Sequence, residues 1–409
     1  MYIYLMLLIL FPYKFTEFYN YLLDVKNLEN KLNCKVEVHD LSNIVNKGWN
    51  KSFLTKKSNN CLSFKNLKDW QLRFNHLRRD KNLTIFNFLD LNTFNSLAVH
   101  FILNKSKSKI IRLASSGVIE HNHYYKKNIF NYINQILKEK IFFSKFLYIF
   151  KSKFLHLVYR SFFPLNEILL ITGSKKQTIT NLGKKKYEIN FHSLDYSKAI
   201  QNIKFNKKKN YIVYFDSPSP FFKDDAETIY KYNNFSANVE KIKEHYNKLN
   251  LFLSSIEKIY SHKVIIVPHP KVKKIKNPFY SKKFKVANEI NAAEYLINYC
   301  KFIICASPST VVAYAIKNYK PILLLEGNGF KNLESAKVDN YLGVKVMKNY
   351  LDCSKINYEI ILKKKIAFKV DKKKYDKYKY NFLTSENISE LANYQIIQKI
   401  INESKYSAK

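Results

Sequence analysis

Residues 264–327 constrain the fold more tightly than any other stretch. They read VIIVPHP, then a basic and polar connection, then FIICASPSTVVAYAIKNYKPILLLEG. Two short β-branched runs, 264–267 and 302–305, each end in polar punctuation. The first is followed by Pro268-His269-Pro270, the second by Ser307-Pro308-Ser309-Thr310. A helical pattern, VVAYAIKN, comes next, and a third apolar run, 321–325, closes in Glu326-Gly327. Strand, polar loop, helix and strand is the order of a parallel α/β unit, because parallel neighbours need a crossover. Ligands of such sheets sit beyond the carboxyl ends of the strands. His269, the Ser/Thr cluster and Glu326 are therefore expected to share one crevice.

At 409 residues the chain is too long for one ordinary core, and two domains of roughly 150–200 residues each are expected. A hydrophobic content of 46% with 16% aromatics gives both halves enough to bury. The formal charge of +38 on its face points to nucleic acid or anionic membrane. It is discounted, because Lys rises together with Asn, Ile, Tyr and Phe, all with AT-only codons, while Gly falls to 7. The lysines are spread evenly and no nucleic-acid-binding module is recognisable, so nucleic acid is not an expected partner. Five scattered cysteines with no CxxC pair indicate neither a disulfide framework nor a zinc site, and fit a reducing cytoplasm. The opening MYIYLMLLILFPYKF lacks a basic n-region and a small-residue cleavage site. About 11 apolar residues are too few to span a bilayer, so a buried first strand is expected, with a membrane-anchoring end as its rival.

After that strand, residues 15–33 show helical spacing and 34–38 read as a second strand, the opening of a Rossmann-like unit. No GxGxxG follows the first strand, which argues against a dinucleotide-binding dehydrogenase. Residues 46–82 are polar and ambiguous. Strands are expected at 83–89, closing in Asp90-Leu91-Asn92, at Lys109–Leu113 and at 167–172, with a helix at 96–103. Residues 126–163 interleave lysines with Phe and Tyr and are the candidate for peripheral contact with an anionic membrane. Domain one is thus 1–200, with a charged linker at 201–210. Domain two spans 211–386, with a strand at Tyr211–Phe215, a long helix at 240–260 and a further short strand at 341–347. Residues 387–409 form a helix placed to pack back on the first domain.

A helix N-terminus exposes unpaired N–H groups and attracts phosphate. Hydroxyls clustered there either cap the helix or donate to an anion. His269, held between two prolines, can donate to a phosphoryl oxygen. VPHP followed by SPST, a helix and a Lys-Pro-led strand resembles the two-domain GT-B glycosyltransferases of bacterial surface polysaccharide (capsule and lipopolysaccharide) synthesis, in particular the sialyltransferase and Kdo-transferase-like families. The resemblance implies an α/β fold of two Rossmann-like domains facing each other across a cleft. It also implies that His269 with Pro270 contacts the donor's nucleotide phosphate, and that Ser307, Ser309 and Thr310 hold the same nucleotide. Glu326 is suited to ribose hydroxyls.

The acidic D/E-D/E-G motif of those families is missing, so the general base is open among Asp216, Asp90 and Glu120. No metal and no cofactor is expected beyond the nucleotide-sugar co-substrate, possibly CMP-activated, with a glycan or glycolipid as acceptor. A teichoic-acid-type polyol-phosphate transferase is the sibling reading. A GT-B-like epimerase and a basic nucleic-acid- or membrane-binding protein stand further off.

Overall fold

The computed structural model describes residues 5–32, 34–46, 58–59, 61–80, 82–113, 142–162, 166–173, 184–201, 211–216, 239–269, 277–305, 310–327, 344, 347–388 and 390–403. They form two α/β domains, each on one parallel sheet. The first sheet comprises β1 (Leu5–Phe11), β2 (Cys34–Asp40), β3 (Cys61–Ser63), β4 (Leu83–Asn87), β5 (Lys109–Leu113), β6 (Asn166–Thr172) and β7 (Lys184–Phe191). The second comprises β8 (Tyr211–Phe215), β9 (Lys263–Val267), β10 (Lys285–Val286), β11 (Cys300–Cys305), β12 (Ile322–Glu326) and β13 (Ser354–Asn357). Helices in chain order are α1 (Glu17–Leu22), α2 (Val25–Leu32), α3 (Ser42–Val45), α4 (Leu67–Leu77), α5 (Phe94–Asn104), α6 (Phe142–Phe162) and α7 (Leu194–Gln201). They continue with α8 (Val239–Tyr260), α9 (Ala292–Tyr299), α10 (Val312–Lys317), α11 (Lys372–Tyr378) and α12 (Asn393–Asn402).

The strand orders are β3-β2-β1-β4-β5-β6-β7 and β10-β9-β8-β11-β12-β13. Both wind outward in two directions from a central pair, the doubly wound arrangement in which the order reverses beside the first strand. The reversal falls between β1 and β4 in the first sheet, and between β8 and β11 in the second. It opens a crevice at the strand ends, because the two crossovers leave on opposite faces.

The apolar N-terminal run is β1, buried inside its sheet between β2 and β4. Met6, Leu8 and Leu10 join one core layer with Trp70 and Phe74. Leu7, Ile9 and Phe11 join the other. A strand covered on both faces has no polar alternation, which is why it reads as a continuous apolar run. The second domain repeats this: Tyr211, Val213 and Phe215 enter one layer, Ile212 and Tyr214 the other.

Several expectations are corrected. The single helix over 15–33 is two, α1 and α2, separated by Asp24 in the left-handed region at φ 58°. The polar stretch 46–82 contains β3 and α4, the latter capped by Asn66, which accepts from the Asp69 amide at 2.9 Å. Of the strand expected at 341–347, the two described residues, Val344 and Met347, are helical, and the last strand among the described residues is β13. The strand β7 carries KKKYEINF and, among the described residues, stands at the edge of its sheet beside β6. Lysines suit an exposed sheet edge, and they hide a strand from a reading based on apolar runs.

Two elements tie the halves together. Helix α7 follows β7, yet Tyr196 and Ala199 enter the second domain's core. Lys198 of the same helix reaches back to Asp24 at 2.9 Å, both side chains largely buried. Chain returning from the second domain passes through a π-helical turn, Lys379–Leu383, and ends as α12 in the first domain's core through Ile396, Ile397, Ile400 and Ile401. At the crossing, the His192 amide donates to Asn393 Oδ1 and Asn393 Nδ2 donates to the His192 carbonyl, both at 3.1 Å. Thr384 Oγ1 lies 2.7 Å from His192 Nδ1, and burial holds that imidazole neutral, with its pKa lowered to about 4.

Candidate functional site

The strand ladders fix where the sequence candidates stand. Phe215 is paired with Val267 on one side and Cys305 on the other, and the Asp216 amide donates to the Val267 carbonyl at 3.1 Å. Asp216 is therefore level with Pro268, one residue short of His269. Cys305 is paired with Leu324, which brings Glu326 to the next strand end. The carboxyl ends of β9, β8, β11 and β12 thus stand in one row: Asp216 directly follows β8, His269 comes two residues after β9, Glu326 closes β12 and Thr310 comes five residues after β11. With strands about 4.8 Å apart, the row spans roughly 14 Å, and the reversal of strand order lies within it.

Each side chain has a distinct setting. His269 is half-buried directly after Pro268. Asp216 accepts from the Tyr214 phenol at 3.3 Å. Tyr214, Tyr246 and Tyr280 pack there as buried phenols, raised well above the usual range by burial first and by the Asp216 charge after it. Glu326 sits at the rim in an ion pair with Lys355. Behind it the backbone of Gly327 lies against Tyr358, whose phenol is 2.7 Å from His245 Nδ1. Pro270, Ser307 and Ser309 lie outside the described residues.

Thr310 stands just ahead of α10 and its side chain hydrogen-bonds Asp195 of α7. Asp195 is 6% exposed. Burial raises its carboxyl to about 6, opposed by the bond with Thr310. No sequence signal marked Asp195: it is a lone carboxylate in HSLDYS, and its partner is more than a hundred residues away. Only the seating of α7 on the second domain brings the two together.

In the first domain Asp90 follows β4, beside the reversal of that sheet. Its side chain is 55% exposed and 4.0 Å from Arg112 Nη2. Arg112 is buried, donates to the Leu89 carbonyl at 2.7 Å and pairs with Glu167 at 3.4 Å. Crowding by neighbouring atoms raises the Asp90 carboxyl and Arg112 lowers it. With half the side chain in water both influences are screened. Glu120, the third candidate base, lies outside the described residues.

Two other histidines of this domain are packing groups. His39 accepts from Trp70 Nε1 at 3.1 Å through Nδ1, so its Nε2–H donates to Glu37 at 2.8 Å, and Arg73 closes the other side of that carboxylate. His100 donates to the Ser96 carbonyl at 2.7 Å and accepts from Asn87 at 3.3 Å. Among the described residues no group of three or more His, Cys, Asp or Glu side chains is arranged to hold a metal ion.

No family model matches the chain, and no curated protein matches it. Solved structures with a similar layout include the wall teichoic acid polymerase TagF, at TM-score 0.48 and 11% identity over 99% of this chain and 90% of that one. Another is MnaA of S. aureus in complex with UDP, at TM-score 0.42 and 10% identity over 94% of each chain. A third is the spinosyn forosaminyltransferase SpnP, at TM-score 0.40 and 10% identity over 98% and 95%.

Proposed function

We propose that the chain is a GT-B glycosyltransferase that moves a sugar from a nucleotide-sugar donor, CMP-activated in the first instance, to a glycan or lipid-linked acceptor. The observation that carries this reading is the row of four strand ends, β9, β8, β11 and β12, bearing His269, Asp216, Thr310 and Glu326 across the reversal of the second sheet. A crevice there is where doubly wound sheets take nucleotides. Hydroxyls and a histidine suit a phosphate better than they suit an apolar ligand.

In the proposed reaction the acceptor hydroxyl attacks the anomeric carbon as the bond to the nucleotide phosphate breaks, inverting the centre. The acceptor proton passes to a carboxylate. His269 and the hydroxyls of Ser307 and Ser309 take up the charge of the leaving phosphate, beside Thr310, whose hydroxyl is held by Asp195, so no metal is needed. Pro270 stiffens the loop, and Glu326 accepts from the ribose. Of the candidate bases Asp90 is favoured over Asp216, because it is open to solvent while Asp216 is engaged by the Tyr214 phenol. Glu120 stays as the untried third.

Melting curves with CMP, UDP, GDP and CDP provide the first test, and at least one nucleotide is expected to raise the transition. If none does, the reading fails. Transfer of a polyol phosphate from a CDP-linked donor would replace it by the teichoic-acid-type alternative. With the donor identified, His269→Ala is expected to leave melting unchanged and cut kcat roughly a hundredfold or more. Asp90→Asn should cut kcat by about 10²-fold with KM little changed. Full turnover in either variant would remove that residue's role.

A further inference from the structure

The helix α6 carries apolar side chains on two sides. Leu155 and Tyr159 are buried and hold it to the first domain, Tyr159 edge-on to His100 of α5 with ring centroids 5.4 Å apart. Leu147, Phe150, Phe154 and Leu157 point elsewhere and are 49%, 65%, 50% and 65% exposed. Their spacing of three, four and three places them on one stripe of a helix with 3.6 residues per turn. On that same period Lys151 flanks the stripe on one side, and Lys153 and Arg160 flank it on the other. Lys151 also lies 5.1 Å from the ring centre of Phe94, itself 59% exposed on the neighbouring α5.

Exposed aromatic stripes of this size on a folded domain mark an interaction surface. The charges select the partner. Between Phe142 and Phe162 there are four basic residues and no acidic one. A second copy of this chain would bring like-charged helices together, and a nucleic acid would meet aromatic rings where its phosphates need cations. An apolar stripe bordered by cations fits a bilayer surface, where rings enter the acyl boundary and ammonium groups stay with anionic headgroups. Among the described residues no helix is long and apolar enough to cross a membrane, so the contact would be made lying flat.

We infer that the Leu147–Phe150–Phe154–Leu157 stripe of α6, with Lys151, Lys153 and Arg160 at its borders, docks the protein on an anionic lipid surface. The surface belongs to the first domain and is independent of the reaction proposed above, so either can fail without the other. Docking there would bring a lipid-borne partner to the domain that carries Asp90.

The test is co-sedimentation of the full chain with vesicles of phosphatidylcholine alone and of phosphatidylcholine with phosphatidylserine. Binding is expected with the anionic vesicles, weakening as salt rises, and much less with the neutral ones. The double variant Phe150→Ser/Phe154→Ser should bind about tenfold more weakly or worse and melt at the same temperature, since both side chains are exposed. Independently, Leu157→Trp should shift its fluorescence to the blue on adding anionic vesicles. No binding to either vesicle, unchanged binding by the double variant, or a tryptophan that stays in water would overturn the assignment. So would a native dimer that the double variant dissociates without any vesicle binding.

Discussion

Asp195 is a carboxylate whose surroundings oppose its charge. Its affinity for a proton is raised from the usual 3.8 to about 6 by burial, against the bond from Thr310. The native state therefore holds this proton where the unfolded chain releases it, and stability falls as pH rises from about 4 to about 6. Titrating near 6 in place of 3.8 corresponds to about 3 kcal/mol lost by neutral pH. Asp195→Asn keeps a partner for Thr310 and removes the charge. Its melting temperature should exceed the parent's near pH 7.5, and the gain should shrink toward zero near pH 4. A gain of equal size at both ends would show that the charge is not the cause. This residue also marks a limit of the sequence reading. His269 and Thr310 stood out because strand-end punctuation is local, whereas Asp195 acquires its setting from a contact between domains, which no local pattern encodes.

Elements were legible in proportion to how completely they are buried. The strands β5 and β8 have the bounds expected of them, β8 buried at all five residues and β5 at its central three. β7 and α4 escape a reading of apolar runs because lysines and other polar residues dominate their sequences. The junction between elements was less legible still, as Gly173 illustrates. It ends β6 at φ +72°, and a side chain there would lie 2.3 Å from the Asn381 carbonyl oxygen and 2.6 Å from the Phe382 amide nitrogen. The conformation and the close approach both demand glycine, since the π-helical turn of the returning chain crosses directly over it. Gly173→Ala should cost about 2 kcal/mol or more, read as a drop in the denaturation midpoint. A neutral substitution would mean that the turn can lift off β6 without loss.

At the scale of the molecule, the chain completes its first domain last. Ile396, Ile397, Ile400 and Ile401 of α12 are buried against the layer built from Leu7, Ile9 and Val38. Lys109 Nζ donates to the Ile400 and Ile401 carbonyls at 2.9 and 3.2 Å, satisfying acceptors that a helix end leaves open. The helical spacing of the last segment was visible in the sequence, but its partner strands lie almost four hundred residues away. The consequence is an asymmetry of stability. Truncating Ile397 and Ile400 together to alanine leaves a cavity under β1 and β2, and each deletion should cost about 2–5 kcal/mol. Among the described residues that layer includes none from the second domain's sheet, which should lose little. Native-state hydrogen exchange separates the two: amides of β1 and β2 should lose protection in the Ile397→Ala/Ile400→Ala variant while those of β8 and β11 keep theirs. Equal loss in both sheets would mean that the domains unfold as one unit, with α7 and the π-helical turn coupling them more strongly than α12 stabilises the first. In that case weakening the Lys198–Asp24 pair should lower the stability of both sheets together.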